Sequence, residues 1–320
     1  MTTLEHAYQI AAFYHFRSIP TDEVQPLAQE LEALGEEHGL KGLIILATEG
    51  INGTISGDNR DSVIYYLSEV SKRLGMPQFS PKWSEGPIAP FRKFKIRLRD
   101  EIVTLGKPEV QPLPEKSPTH LSPEEWDRAM EKEDVLVLDT RNWYETRIGK
   151  FDKAVDPNLD EFQEFGDYLE KANLPKDKEI LIYCTGGIRC EKAIVEMHEH
   201  GFENVFQLDG GILNYLAKFP EKKFTGECFV FDQRVAVDQQ LKPTRLYQMC
   251  PHCGQPADQK MTCVRCDSDA VVCITCTEID YLKTCSKNCA HHTQLKPGVK
   301  GLKQKQGYRY IVSKKHDFPT

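Results

Sequence analysis

The first 183 residues contain no cysteine, although the chain of 320 residues has 11. An odd number of cysteines gathered late in the chain does not fit a disulfide framework, so we expect a reducing compartment where thiols bind metal or react. No segment approaches the ~18 consecutive apolar residues of a membrane-spanning helix. The first residues, MTTLEHAYQIAAFYHF, lack the basic start and long apolar stretch of a secretion signal. These absences predict a cytoplasmic protein without a membrane partner.

Motifs for the common organic cofactors are missing as well. The sequence contains no GxGxxG for a flavin or NAD and no P-loop for ATP. In the middle of the chain, no grouping of two histidines and a carboxylate indicates an iron site. The sequence therefore gives no motif for an organic cofactor or an iron site.

A net positive charge occurs only in the last third of the chain. The net charge is −7, but residues 221–320 carry 16 basic and 10 acidic side chains, a net of +6. This region either presents a basic face to a polyanion or is an ordinary solvated tail. A second basic feature is the alternating segment FRKFKIRL, which is either an RNA-binding surface or a solvated face of a strand. Its candidate RNA-binding residues are Arg92, Lys93, Lys95 and Arg97.

The order of predicted elements divides the chain into three regions. Residues 1–110 read as strand, helix, strand, helix, strand, which predicts a ferredoxin-like or acylphosphatase-like α+β domain. Residues 122–220 alternate strands with helices, which predicts an α/β domain with a parallel sheet and a site at the carboxyl ends of its strands. Residues 221–320 form a C-terminal region with a Cys-rich segment, 250–292, and a basic tail. We therefore predict a multi-domain α/β protein.

Several local signals place the ends of elements. Thr21 is predicted to cap a helix that runs to Gly39, and Ser122 with Glu125 forms the capping-box pattern before another helix. The segment TEGING, residues 48–53, is predicted to be a turn after the strand Lys41–Ala47.

Eight cysteines occur as four closely spaced pairs. Two thiolates at such spacing bind one ion at tetrahedral angles, so four pairs provide two closed sites for structural zinc. Two arrangements of the four cysteine pairs are possible. In the interleaved arrangement the first pair shares an ion with the third and the second with the fourth, and in the sequential arrangement neighbouring pairs share an ion. His252, His291 or His292 could replace a thiolate, and the alternative to metal binding is a set of reduced thiols. The predicted ligands are Cys250, Cys253, Cys263, Cys266, Cys273, Cys276, Cys285 and Cys289.

The segment YCTGGIRC is the strongest chemical signal. Cys184 ends a predicted buried strand and is followed by a small, glycine-containing loop and a helix. Backbone N–H groups, the helix N-terminus and Arg189 should lower the thiol pKa, which predicts a nucleophile rather than a packed core cysteine. Cys190 could resolve an oxidised Cys184, but we favour a structural role for it. Cys228 is also expected to be structural. The predicted active-site loop is Thr185, Gly186, Gly187, Ile188 and Arg189.

Residues 122–220 resemble the rhodanese-like domain. The resemblance rests on the Cys-x-x-x-x-Arg loop that begins at Cys184, on the segment LDTRN that begins at Leu138, and on LDGG that begins at Leu208. Rhodaneses carry sulfur as a persulfide on the loop cysteine. The resemblance implies that Cys184 is the nucleophile, that Arg189 is the basic residue of the loop, and that Asp139 and Arg141 support the loop.

The chain as a whole is similar to the bacterial tRNA uridine hydroxylase family. The segments that carry this similarity are TEGINGT (48–54), YCTGGIRCEKA (183–193) and GECFVFDQRVAV (226–237), followed by a Cys-rich tail. Members join an acylphosphatase-like domain to a rhodanese-like domain and are associated with oxygen-dependent formation of 5-hydroxyuridine at the wobble position. The similarity implies tRNA as partner and molecular oxygen as co-substrate.

Three functions follow from these patterns. We favour a tRNA-modifying oxidoreductase, in which Cys184 adds to C6 of the uridine and makes C5 nucleophilic toward activated oxygen. The alternative enzyme is a sulfurtransferase that carries a persulfide on Cys184. The third function is a non-catalytic zinc and RNA adaptor, which an intact Cys184 disfavours. Trp143, Tyr144 and Tyr183 could stack on a base, although core packing is the expected role of each.

Overall fold

The computed structural model describes residues 7–112 and 119–294. The predicted basic tail beyond residue 294 and part of the Pro-rich connector lie outside the described residues. The described residues form two compact units, of which the first extends to Gln233 and includes Val237–Pro243, and the second is formed mainly by residues 244–294. None of the helices within the described ranges is long and apolar enough to cross a membrane.

The N-terminal region is one five-stranded sheet with two helices. The strand order is β4-β1-β3-β2-β5, antiparallel throughout except for the parallel pair β2 and β5. This arrangement is the predicted ferredoxin-like order with an additional edge strand. The elements are β1 (Tyr8–Phe16), α1 (Thr21–Glu37), β2 (Lys41–Ala47), β3 (Gly50–Gly57), α2 (Arg60–Leu74), β4 (Lys82–Gly86) and β5 (Phe94–Leu98).

Two local predictions in this region are wrong. Thr21 does not cap α1, because the helix already includes it and Pro20 occupies the cap position without a side-chain hydrogen bond. The segment 48–53 is not a turn throughout, because β3 begins at Gly50 and its pairing with Ala47 leaves only two residues to connect β2 and β3. Gly50 permits this tight arrangement, since a Cβ there would lie 2.2 Å from the His15 carbonyl oxygen of β1.

The central region is an open parallel sheet with the order β6-β10-β9-β7. The predicted capping box is present, because the Ser122 hydroxyl accepts from Glu125 N–H and the Glu125 carboxylate accepts from Ser122 N–H. The elements are β6 (His120–Leu121), α3 (Pro123–Ala129), β7 (Val135–Asp139), α4 (Trp143–Thr146), β8 (Gly149–Phe151), a 3-10 helix (Phe162–Glu164), α5 (Phe165–Lys171), β9 (Glu179–Tyr183), α6 (Ile188–Glu199), β10 (Val205–Leu208), α7 (Gly211–Lys218), β11 (Phe224–Gly226), β12 (Cys228–Phe229) and β13 (Ala236–Val237).

A buried charge cluster joins the N-terminal sheet to the central region. Lys192 on α6 lies 2.7 Å from the Glu49 carboxylate and 2.5 Å from the Glu101 carboxylate. Removing Lys192 would leave two buried carboxylates without a cation, at a cost of about 3–5 kcal/mol. The cluster therefore fixes the N-terminal sheet against the helix that follows the Cys184 loop.

The C-terminal unit is built from short hairpins and helices around cysteines. Its apolar core is small and consists largely of alanine, valine and leucine side chains such as Ala257, Val272 and Leu282. Its elements are β14 (Gln248–Met249), β15 (Pro256–Ala257), β16 (Gln259–Thr262), β17 (Asp269–Val272), α8 (Ile274–Thr277), a 3-10 helix (Asp280–Leu282) and α9 (Lys287–Gln294). The predicted fold class, a multi-domain α/β protein with a parallel central sheet and a Cys-rich end, is confirmed.

Candidate active site and metal sites

The Cys184 loop lies at the carboxyl end of β9, between two helix N-termini. The Gly187 N–H donates a hydrogen bond to Cys184 Sγ at 3.1 Å, and α6 begins at the next residue. From α7, the N–H of Ile212 donates to the Cys184 carbonyl at 3.0 Å and the N–H of Leu213 donates to the Thr185 carbonyl at 3.1 Å. One helix therefore stabilises charge on the sulfur while the other holds the loop backbone.

Two glycines allow the N-termini of α6 and α7 to lie this close to the Cys184 loop. Gly187 has φ of +100°, a conformation that an L side chain rarely adopts, which lets its N–H turn toward the sulfur. Gly211 has φ of +65°, and a Cβ there would lie 2.5 Å from the Cys184 carbonyl oxygen. The LDGG segment therefore serves the loop, because it brings the N-terminus of α7 against the loop carbonyls.

Arg189 forms a buried bidentate ion pair that the sequence analysis did not identify. Its two terminal nitrogens lie 2.6 and 2.7 Å from the two carboxylate oxygens of Glu145 on α4. Arg189 is 6% exposed and Glu145 is fully buried. The Thr185 hydroxyl lies 3.4 Å from the same carboxylate. The pair holds the guanidinium beside the loop, since a bidentate geometry leaves it little freedom.

The surroundings of Cys184 favour its thiolate. Burial by itself would raise the pKa of Cys184, but the hydrogen bond from Cys190, the Arg189 charge and backbone N–H groups outweigh it and lower the pKa to about 6. Burial and the neighbouring Cys184 raise the pKa of Cys190 well above its usual value, so Cys190 is the protonated partner. At neutral pH Cys184 is therefore largely ionised.

Asp139 and Arg141 lie beneath the site and do not enter it. The Arg141 guanidinium donates to the Asp139 carboxylate at 2.9 and 2.7 Å and to the Gly149 carbonyl at 2.7 Å. Thr140 between them donates through its hydroxyl to the Tyr183 carbonyl at 3.0 Å. These bonds tie the ends of β7 and β9 together, which fits the supporting role that the resemblance implies.

The N-terminal sheet places Tyr14 against the loop and Lys82 next to Tyr14. The Tyr14 hydroxyl donates to the Glu191 carboxylate at 2.9 Å, and a Cβ on Gly187 would lie 2.9 Å from the same hydroxyl. Lys82 Nζ lies 4.6 Å from the centroid of the Tyr14 ring. The sequence analysis assigned no function to either residue.

Aromatic side chains extend from the loop toward solvent. Tyr144 contacts Phe229 with ring centroids 5.4 Å apart, and Phe229 contacts Phe231 at 4.9 Å. Phe231 is 59% exposed, and the Arg189 guanidinium lies 5.5 Å from its ring. By contrast, Tyr183 is buried in the core against Phe151, so it takes the packing role that was expected.

The basic segment lies at the other edge of the N-terminal sheet. Lys95 and Arg97 are exposed on β5, while Arg92 and Lys93 are exposed in the residues that precede it. Strand β4, which carries Lys82, is the opposite edge strand. Four spacings of about 4.8 Å separate the two edge strands, roughly 19 Å.

The eight paired cysteines form two groups of four. Each group holds the first and third, or the second and fourth, of the sequence pairs, so the interleaved alternative is the arrangement observed. The groups are Cys250, Cys253, Cys273 and Cys276, and Cys263, Cys266, Cys285 and Cys289.

The sulfur positions fit tetrahedral metal binding. With metal–sulfur bonds of about 2.3 Å, a tetrahedral site places its sulfurs about 3.8 Å apart. Cys253 and Cys273 have sulfurs 3.5 Å apart, and Cys285 and Cys289 have sulfurs 3.7 Å apart. None of the three candidate histidines belongs to either group, and His252 instead places Nε2 2.9 Å from the Thr284 carbonyl oxygen. Both groups could hold an ion with four thiolates.

Cys228 lies in the core of the first unit, with no exposed surface. Burial raises the pKa of its thiol to about 12, so it is protonated at neutral pH. Its environment is therefore that of an inert packed cysteine.

Three family descriptions match consecutive parts of the chain. An acylphosphatase-like domain termed UPF0176 matches residues 8–102, the rhodanese-like domain matches 122–218, and a rhodanese C-terminal domain matches 225–290. Together they cover most of the chain.

Proteins of similar sequence are known from several bacteria. The tRNA uridine(34) hydroxylase of Bdellovibrio bacteriovorus is 47% identical over 299 residues, which are 93% of this chain and 85% of that protein. The tRNA uridine(34) hydroxylase of Synechocystis is 43% identical over 78% of this chain and 89% of its own length. A protein of the same name from Legionella pneumophila is 43% identical over 76% of this chain and 94% of its own length.

Proposed function

The chain belongs to the tRNA uridine(34) hydroxylase family, and from this membership we propose that it converts uridine 34 of tRNA to 5-hydroxyuridine with molecular oxygen as co-substrate. The observation that carries the proposal is the position of Cys184 at the carboxyl end of β9, where the Gly187 N–H donates to its Sγ and the Arg189 charge lowers its pKa. We also propose a cytoplasmic location, because tRNA is the substrate.

In the proposed reaction Cys184 is the nucleophile. Its thiolate forms a bond to C6 of uracil, and the electrons of the C5–C6 double bond move toward C5 and O4. C5 then attacks an electrophilic oxygen species derived from O2. Loss of the C5 proton with departure of the thiolate restores the double bond and gives 5-hydroxyuridine. The second oxygen atom leaves as water, so a two-electron reductant from outside the chain must supply two electrons and two protons.

We propose that tRNA contacts two surfaces, one not considered in the sequence analysis and one that it predicted. Phe231, exposed beside Arg189, is suited to stack on a base next to the target uridine, since aromatic stacking is a common way to hold an unpaired base. Arg92, Lys93, Lys95 and Arg97 would contact phosphates of the tRNA at a distance from the reacting base.

For the C-terminal region we propose two structural zinc ions, one in each group of four cysteines. Four thiolates fill a tetrahedral site and leave no open position, so the ions would hold the unit together and take no part in the reaction. The small apolar core of this unit supports the proposal, because such a segment has little else to fold around.

The test is nucleoside analysis of tRNA from a deletion strain that expresses variants. Wild-type protein and Cys228→Ala, a matched buried cysteine, are expected to restore 5-hydroxyuridine and its derivatives, whereas Cys184→Ser is not. Growth under ¹⁸O₂ should give a nucleoside heavier than that from ordinary O2 by the mass difference between one ¹⁸O and one ¹⁶O atom. If Cys184→Ser restores 5-hydroxyuridine, Cys184 is not the nucleophile. If the added oxygen atom comes from water, O2 is not the co-substrate.

Sulfur transfer is the second candidate, because the same donors that stabilise a thiolate would stabilise a persulfide on Cys184. Thiosulfate and cyanide provide the assay. Turnover that depends on Cys184, combined with unchanged 5-hydroxyuridine in the deletion strain, would favour this reading over hydroxylation.

A further inference from the structure

We propose that Lys82, supplied by the N-terminal sheet, binds the uracil oxygen that becomes negative when Cys184 adds to C6. This inference rests on the proposed function and assigns a substrate-binding role to a domain outside the rhodanese-like region. The N-terminal domain would then take part in the reaction at the Cys184 loop.

The position of Lys82 follows from the register of two strands. Lys82 on β4 pairs with Ala12 on β1, and Tyr14 lies two residues further along β1. Residues two apart on a strand point to the same face, so Tyr14 and Lys82 share one face of the sheet. That face meets the loop, because the Tyr14 hydroxyl contacts Gly187, whose N–H donates to Cys184 Sγ.

The charge of Lys82 is left without a partner. It makes neither an ion pair nor a hydrogen bond with any residue in the ranges 7–112 and 119–294, and its close contact is the Tyr14 ring, 4.6 Å from Nζ. The other cations around the loop are neutralised, Arg189 by Glu145 and Lys192 by two carboxylates. The groups whose charges act on Lys82 are Asp209, Cys184 and Glu191, and burial lowers the pKa of Lys82.

A half-buried ammonium without an anionic partner is less favourable than one that an anion meets. The proposed reaction produces such an anion. When the Cys184–C6 bond forms, the negative charge of the thiolate passes through the ring to O4, and when that bond breaks the electron pair returns to sulfur. A cation on the sheet face that meets the loop, whose charge acts on Cys184, stabilises the negative charge in both places. Lys82 is therefore placed where the addition needs a positive charge.

The first test compares an anionic with a neutral alkylating reagent. Iodoacetate and iodoacetamide react with the full-length protein at one pH, and trypsin cleavage after Arg189 separates Cys184 from Cys190 for mass spectrometry. The ratio of the two rates cancels the thiolate fraction, so it reports attraction of an anion. We expect Lys82→Met to lower this ratio about fivefold, as for a unit charge lost near contact in water.

Three variants complete this test. Lys82→Arg keeps the charge and should keep the ratio. Lys41→Met removes a lysine that lies 5.4 Å from the Tyr8 ring in the same sheet and should leave the ratio unchanged. Lys82→Met should unfold no more easily than wild type, because it removes an unpaired charge, and Lys82→Gln provides the same readouts should the methionine disturb folding. An unchanged ratio in Lys82→Met or Lys82→Gln would overturn the proposal.

The second test is hydroxylation in the deletion strain. We expect Lys82→Met to reduce 5-hydroxyuridine at least tenfold and Lys82→Arg to restore part of it. Wild-type levels in Lys82→Met would refute the role of Lys82 while leaving the proposed function intact. Absence of hydroxylation by the wild type would refute the proposed function, whereas the alkylation ratio tests Lys82 without tRNA.

Discussion

Replacing Glu145 by Gln tests whether the buried pair with Arg189 holds the Cys184 loop. The two bonds of 2.6 and 2.7 Å join a fully buried carboxylate to a guanidinium that is 6% exposed. Removing one charge of such a pair costs about 3–5 kcal/mol, since the remaining charge stays buried and unpaired. Because Gln retains one oxygen acceptor, we expect about 3 kcal/mol.

The matched control is Glu179→Gln. Glu179 also receives two bonds, of 2.9 and 2.7 Å, but from an exposed lysine, Lys132. Pairs of this kind contribute at most ~1 kcal/mol. All three tryptophans, Trp83, Trp126 and Trp143, lie in the first unit, so urea unfolding followed by tryptophan fluorescence reports its stability.

A second readout of Glu145→Gln is the pKa of Cys184. With the carboxylate gone, the Arg189 charge acts on the thiolate without compensation, so the pKa should fall below about 6. The pH profile of Cys184 alkylation measures it. Equal destabilisation by Glu145→Gln and Glu179→Gln, together with an unmoved profile, would refute the reasoning.

Four further predictions follow from the site. Gly211→Ala, which places a Cβ 2.5 Å from the Cys184 carbonyl oxygen at φ of +65°, should destabilise the first unit by more than ~1 kcal/mol in urea and lower 5-hydroxyuridine. Cys190→Ala removes the hydrogen bond to Cys184 and should raise the pH midpoint of Cys184 alkylation above about 6, and a lowered midpoint would contradict this. Metal analysis should find two zinc ions per chain, and Cys253→Ser should lose one of them while the other group keeps its ion. Phe231→Ala should weaken tRNA binding by about 1–3 kcal/mol in a titration while leaving the alkylation rate of Cys184 unchanged, and equal affinity would exclude stacking.

The loop was predictable because its chemistry is local in sequence. The strand end, the glycines and Arg189 lie within the six residues from Cys184 to Arg189. Glu145 was missed because it lies 44 residues before its partner, although the pattern Asn142-x-x-Glu145 marks the start of a short helix. A pattern within one segment does not specify which distant segment will contact it.

Lys82 and Tyr14 were missed for a related reason. They come from another domain, and the strand Lys82–Gly86 has the sequence KWSEG, which lacks the alternation that marks a half-buried strand. The pairing of the cysteines was left open because spacing alone permits both arrangements, and only the fold of the hairpins distinguishes them. Periodicity identified the longer helices and strands of the first unit, whereas its short strands, the elements of the C-terminal unit and the contacts between domains depended on tertiary packing.

Covalent trapping tests most directly whether Cys184 adds to C6 of the target uridine. A tRNA that carries 5-fluorouridine leaves no proton on C5 once oxygen has been added there, so the thiolate cannot be expelled by elimination and the Cys184–C6 bond persists when the reaction runs with oxygen and a reductant. We predict a protein–tRNA complex that survives denaturation and whose mass spectrum places the nucleotide on Cys184, with Cys228→Ala forming it and Cys184→Ser not. An equal yield of complex from Cys184→Ser, or attachment at another residue, would contradict the mechanism.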